Sequence, residues 1–465
     1  MRRRVSLLAL AITALAIILV AGGVGVDGEA AALVTRGDAY RDAYLYSIAS
    51  DQYLRALERQ PGDPAILLRL CDVSHRLGRL DDAARYADRA ENAGASRAEA
   101  ARCRARVAQA GGQARRAAEE WSIAVAERPD DRDARASLTD ALVAAHDWPA
   151  AAASVQATID ADPGDTAALF LRGALLALDD PARALPDLRR AGTPEALALA
   201  AALDNPLGRA NREYRAVAAG RVFLDHERLP LAWRAFAAAT AGNPGYADAF
   251  AYLGATYDRL GDDALAAASL DRALELGPNS TIGLYLRGVF LLRRARWAEA
   301  RADLDRARQL DPGNSAIALA LGQASFELGE LTAAHNHFTL ALATEPDKFD
   351  WHLALAELYI GRVVHVEDVG LPAARRAVAL NPGSARARAW LGWGLHLAGD
   401  HAQAEAELRA AIGLDPALAR ARLHLGHYLV NVGRIEEGRT ELLRAADLDP
   451  QGETGARARQ LLGER

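Results

Sequence analysis

The residues best suited to chemistry lie toward the end of the sequence: Trp390, Trp393, His396, Arg420, His424 and His427. His424 and His427 are three apart, which makes them neighbours on one helical face. Imidazoles so placed could begin a metal site, but such a site needs three or four converging ligands with supporting carboxylates. No carboxylate accompanies these residues at helical spacing. The cluster therefore reads as an aromatic and cationic docking patch rather than a metal centre, with ordinary packing and solvated surface as the simpler alternative. "HNH" at 335–337 cannot form one site on a helix, where alternate residues point to opposite sides. No HExxH, CxxC, GxSxG or phosphate-cradling glycine loop occurs in the chain. No catalytic residue, cofactor or metal is expected. An enzyme with its site in the irregular stretch 194–230, or beside the histidines, is the weaker alternative because no nucleophile stands with a base.

The elements that would carry these side chains are legible in the spacing of alanine. In "LGDDALAAASLDRALELGPNS" (260–280), Ala266, Leu270 and Ala273 share one helical face, with Gly261 ending the helix before them and Pro278 ending their own. The pattern returns as Ala300, Leu304, Ala307 and Pro312, then as Ala334, Phe338, Ala341 and Pro346, each time 34 residues on. Such a fixed period marks stacked helical hairpins, none of which can bury its apolar face alone.

The repeat at Ala247–Pro278 carries Phe250, Leu253, Gly254, Tyr257, Ala266, Leu270, Ala273 and Pro278. In this order the residues resemble the tetratricopeptide repeat family, and comparable matches run from about residue 30 to 450. The fold class expected is all-α, a right-handed superhelical solenoid of about twelve helix-turn-helix units. Their starts fall near 30, 64, 98, 132, 165, 213, 247, 281, 315, 349, 385 and 419. The organisation expected is an N-terminal segment (1–26), a first array (27–193), an irregular connector helix (194–212), a second array (213–450) and a capping helix (451–465). The fifth unit lacks a residue, and the tenth carries two extra in "GRVVHVEDVGLP" (361–372).

The resemblance implies that the first helix of each unit lines a concave groove that binds other proteins or peptides. At the corresponding positions stand Asp38, Arg41, Asp72, His75, Arg102 and Arg106 near the N-terminus, and Tyr214, Arg221, Asp248 and Asp258 in the middle. The candidate partner-binding residues are Tyr285, Phe326, Glu357, Trp393, His396, Arg420 and His427. For any one of them, a solvated helix face is the simpler reading. Some exported members clamp peptide C-termini with lysines and asparagines; here Lys348 is the only lysine, so no such residues carry over.

Composition agrees with a helical array. Hydrophobic residues make up 51% of the chain but aromatics only 6%, because alanine dominates. The 55 basic and 61 acidic residues are interspersed, giving a net charge of −6 with no basic stripe, so nucleic acid is not an expected partner. After "MRRR", the run Val5–Val26 is uncharged and apolar, long enough for a bilayer crossing of about 20 residues. Arginines before it, and Asp27 and Glu29 after it, predict a single-pass anchor with the repeats outside the cytoplasm, or a signal peptide cut near "AGG" at 21–23. The function expected is a membrane-anchored protein-interaction scaffold serving an envelope assembly. A cytoplasmic-facing adaptor would need the arginines to be overridden. Cys71 and Cys103 are expected as two small buried thiols on neighbouring helices, a disulfide being the less favoured alternative because its geometry is strict.

Overall fold

The computed structural model describes residues 26–207 and 211–463. Among them twenty-six α-helices and one π-helical turn succeed one another without a strand. The hairpins are α1 (Val26–Asp42) with α2 (Tyr46–Arg59), α3 (Pro64–Arg76) with α4 (Leu80–Asn92), and α5 (Arg97–Ala110) with α6 (Ala114–Glu127). Then come α7 (Arg132–Ala144) with α8 (Trp148–Ala161), and α9 (Thr166–Leu176) with α10 (Pro181–Ala191). After the single helix α11 (Pro194–Asp204) stand α12 (Arg212–Asp225) with α13 (Leu229–Gly242), and α14 (Ala247–Leu260) with α15 (Asp263–Leu276). The next hairpins are α16 (Thr281–Arg293) with α17 (Trp297–Leu310), α18 (Ser315–Glu327) with α19 (Leu331–Thr344), and α20 (Phe349–Gly361) with α21 (Leu371–Leu380). The series closes with α22 (Ala385–Leu397) and α23 (His401–Leu414), α24 (Ala419–Asn431) and α25 (Ile435–Leu448), and the last helix α26 (Glu453–Leu462). The chain divides into two compact units. One holds the residues up to Ala134 together with those from Glu405 onward, and the other is Arg135–Ala404.

Side-chain caps set many of the helix starts. Asp63 precedes Pro64 at the helix start, and its carboxylate accepts hydrogen bonds from the Ala65 and Ile66 amides at 2.7 and 3.1 Å. Ser280 plays the same part for α16, accepting from the Gly283 amide at 2.9 Å. Each such cap satisfies a backbone donor that the first helical turn leaves without a partner. Within the hairpins, Ala266, Leu270 and Ala273 are fully buried. A Cβ on Gly254 would lie 2.7 Å from Leu270 Cγ, so glycine is what lets α14 and α15 touch.

In eleven of the twelve hairpins the turn between the two helices holds one residue in the left-handed conformation, α9–α10 being the exception. Gly78, Gly112, Gly261, Gly329, Gly399 and Gly433 supply it at no steric cost, with φ between 69° and 86°. In five other hairpins the equivalent residue is Tyr44, His146, Glu227, Ala295 or Val363. The two extra residues of the tenth unit are taken up by the π-helical turn Val366–Gly370 between α20 and α21. Helix α11 is capped by Thr193, buries Ala196, Leu199, Ala200 and Leu203, and packs against α10 and α12.

Two expectations change. The single-pass membrane placement is corrected: among the described residues no helix is long and apolar enough to cross a membrane. The longest of them has 17 residues and is interrupted by charge, whereas a crossing needs about 20 apolar ones. The expected anchor at Val5–Val26 lies outside the described residues but for its last residue, and the placement of the repeats beyond the cytoplasm falls with it. The cysteines also differ from the favoured expectation. Cys71 of α3 and Cys103 of α5 are joined in a disulfide, their Cα atoms 6.5 Å apart. The two cysteines are 32 residues apart, two short of the repeat period, and lie on successive first helices whose stacking brings the thiols within bonding reach.

Candidate functional site

In the unit Arg135–Ala404, the expected partner-binding residues lie on four successive first helices. Tyr285 of α16 is half-buried against the apolar cluster around Leu284 and Phe290. Burial raises its phenol above the ordinary value, although the charges of Arg293 and Arg259 pull the other way. Phe326 of α18 is only 8% exposed, with its ring edge-on to Tyr359 at 5.2 Å, so it offers little face to a partner. Glu357 of α20 accepts from Arg386, at 2.7 Å for one of two hydrogen bonds, and from the Trp390 indole at 2.9 Å. Trp393 of α22 is half-buried, and the His396 ring lies 5.1 Å from its own. His396 in turn faces His401, a residue not singled out in the sequence, with their Nδ1 atoms 3.5 Å apart.

The two remaining candidates, Arg420 and His427, stand on α24 in the other unit, and both are half-buried. Burial lowers the His427 imidazole below its ordinary value, and the charge of Arg457 adds to this. His424, their neighbour, is buried at 6% exposure.

The acidic residues expected along the face are spoken for. Asp258 takes Arg293 at 2.6 Å and Arg294 at 2.7 Å, and Asp248 accepts from Ser280 at 2.8 Å. Asp72 is shared by Arg76 and Arg106 at 3.1 and 3.2 Å. Asp38 accepts from Tyr53 at 2.7 Å and Arg69 at 3.1 Å. Burial alone would raise the Asp38 carboxyl, but these hydrogen bonds outweigh it and hold it below its ordinary value. Several pairs tie one first helix to the next, so much of the charge along this face serves cohesion between repeats. A cavity of about 300 Å³ between α15, α16 and α17 is likewise lined by mutually paired charges: Arg287 holds Asp303 at 2.7 Å and Asp271 at 2.9 Å, and Arg296 holds Glu299 at 2.6 Å. Among the described residues no group of three or more His, Cys, Asp or Glu side chains could hold a metal ion.

One aromatic assembly escaped the sequence. The ring of His146, in the α7–α8 turn, stacks on Trp233 of α13 at 4.3 Å and on Trp148 of α8 at 5.4 Å, the planes within 12° of parallel. The Arg234 guanidinium lies 5.0 Å from the Trp148 ring, and the Trp233 indole donates to the Tyr257 hydroxyl at 3.0 Å. The signal was weak: His146 occupies the turn position that six hairpins give to glycine, but so do Ala295 and Val363, the latter 61% exposed.

Comparison with known proteins bears on the same repeats. Two descriptions of the tetratricopeptide repeat match this chain, one over residues 291–358 and the other over 34–98, 104–165, 137–196, 217–281, 266–315, 368–419 and 397–453. No curated protein sequence matches it. Among solved structures it is similar to yeast Tom70, at 18% identity over 93% of this chain and 95% of that one, with a TM-score of 0.42. It is also similar to the anaphase-promoting-complex protein assembly Cut9–Hcn1, at 14% identity over 98% and 93% with a TM-score of 0.44. A third is a thermophilic protein of the same repeat class from Thermus thermophilus, at 22% identity over 39% and 99% with a TM-score of 0.35. Hairpins at a 34-residue period, small residues where paired helices touch, and repeat matches over most of the chain lead to one conclusion: this protein belongs to the tetratricopeptide repeat family.

Proposed function

We propose that the chain is a non-enzymatic scaffold that binds other proteins or peptides along the face of its first helices. Tyr285, Trp393 and His396 supply contacts in one unit, and Arg420 and His427 in the other. The family supports the class of function, since these repeats serve protein interaction. Trp393 carries the choice of residues: it is a half-buried indole at a first-helix position, with an imidazole 5.1 Å from it, on a face whose acidic groups are already paired. Indoles of this kind are over-represented among the few residues that dominate protein interfaces, whereas exposed ion pairs contribute little.

The test begins with cross-linking and mass spectrometry to name the partner, and then titrates the purified pair. Trp393→Ala and Arg420→Ala, made singly, should each weaken binding tenfold or more, a change of about 1.4 kcal/mol or above, while circular dichroism stays helical. Leu304→Ala, in a side chain fully buried within α17, should lower the melting temperature and leave affinity at low temperature unchanged. Wild-type affinity in both Trp393→Ala and Arg420→Ala would sink this assignment of the binding face.

A further inference from the structure

The first and the last described hairpins fold into the same unit, and polar contacts join them. Asp447 of α25 is 6% exposed and accepts hydrogen bonds from both the backbone amide and the hydroxyl of Ser47, each at 2.9 Å. Arg444, one turn earlier, donates to the Ala43 carbonyl at 3.0 Å. The Arg422 guanidinium of α24 lies 5.3 Å from the ring of Tyr44, and Gln451 donates to the Gly78 carbonyl at 3.4 Å. These residues are separated by some 370 to 400 positions in sequence.

Three features set this seam apart from ordinary stacking. The apolar clusters on its two sides are separate: Leu33, Tyr53, Leu67 and their neighbours on one, Leu423, Leu442 and Ala458 on the other. Directed polar contacts and a cation over a ring cross the seam, beside the buried Leu45 and Tyr46. Tyr44, left-handed at φ 61° as are the residues in four other non-glycine turns, sets its ring against Arg422 and edge-on to Tyr46 at 6.3 Å. Gly78 is glycine for its turn, at φ 70°, and the Gln451 side chain reaches over it to its carbonyl. A carboxylate buried as deeply as Asp447 would be costly without those donors.

We infer that the last repeat is a clasp. Asp447, Arg444, Arg422 and Gln451 close on the turns of the first two hairpins, and these hairpins and the last one open and close as one cooperative element. Closure fixes the first two hairpins from outside their own sequence neighbourhood, which stacking between consecutive repeats cannot do.

Amide hydrogen exchange on the full chain tests this, because it reports opening segment by segment. In Asp447→Ala, exchange over residues 43–79 should rise about tenfold or more, the scale of losing a hydrogen bond to a charged acceptor, while residues 229–310 stay as in wild type. Faster exchange confined to residues 435–462 would overturn the clasp. Tyr44→Gly supplies an independent arm that relieves the turn. If Tyr44 is there for closure, exchange over 419–431 rises although the turn itself is improved. If exchange over 419–431 is unchanged or slower, Tyr44 is a turn residue only and the clasp is refuted. Should Asp447→Ala fail to fold, Ser47→Ala decides instead: accelerated exchange over 435–448 supports closure, and wild-type exchange there refutes it.

Discussion

His146 shows what a single residue gains by giving up an easy backbone. Its left-handed φ of 58° costs a non-glycine residue roughly 1–2 kcal/mol, and in exchange its ring stacks on two indoles. Burial lowers its imidazole below the ordinary value of 6.5. The sign for stability depends on where protons bind. The unfolded chain takes up a proton as pH falls through 6.5, and the folded ring resists it, so stability is full above 6.5 and declines as pH drops toward the folded value. Melting midpoints should accordingly fall between pH 7 and pH 5.5. His146→Gln should flatten that slope by about a few tenths of a kcal/mol, a modest amount because the ring is partly open to solvent. An identical slope in the variant would show that His146 takes its proton as easily folded as unfolded. His75, His337 and His427 are lowered by burial as well and act in the same direction.

At the scale of elements, the hairpin depends on how closely two helices approach. Ala273 is fully buried where α15 meets its neighbours, and Gly254 admits Leu270 at a distance no Cβ would tolerate. Ala273→Leu adds three carbons to that contact, and overpacking of this kind costs about 1–3 kcal/mol. In a stacked array the loss should open adjoining hairpins before distant ones, so exchange should quicken between residues 247 and 312. An unchanged exchange pattern would mean that the contact has slack the structure does not show. The two-residue excess of the tenth hairpin behaves differently, since the π-helical turn Val366–Gly370 absorbs it without disturbing the buried Ala374 and Ala377 of α21.

For the molecule as a whole, stability is distributed between two units with different fastenings. The Cys71–Cys103 disulfide closes a loop of 32 residues in the unit that holds both chain ends. A bridge of that span stabilises by about 2–4 kcal/mol, chiefly by restricting the unfolded chain. Cys71→Ser paired with Cys103→Ser, or treatment with a strong reductant, should speed exchange over residues 64–110 and leave the protection of residues 229–344 at its wild-type level. Equal acceleration in both units would show that the molecule opens as one cooperative body, and no acceleration in either would show that the bridge adds nothing to packing.

The repeat was readable from the chain alone. Period and composition are local and recurrent, so Gly254, Ala266, Leu270 and Ala273 disclosed helices, hairpins and stacking, and their order disclosed the family. The candidate face was legible to the same depth: first-helix positions could be named, but not whether Phe326 would turn inward or Glu357 would be held by Arg386 and Trp390. Contacts between residues far apart in the chain were settled only when the hairpins stacked in three dimensions. The bond between Cys71 and Cys103 depends on how two neighbours stack, whereas the stack of His146 on Trp233 and the burial of Asp447 against Ser47 join hairpins that are not consecutive, and so depend on how rotation accumulates from one hairpin to the next. No single repeat encodes that sum. A small change in the angle between hairpins moves distant residues by many ångströms while leaving every local pattern intact.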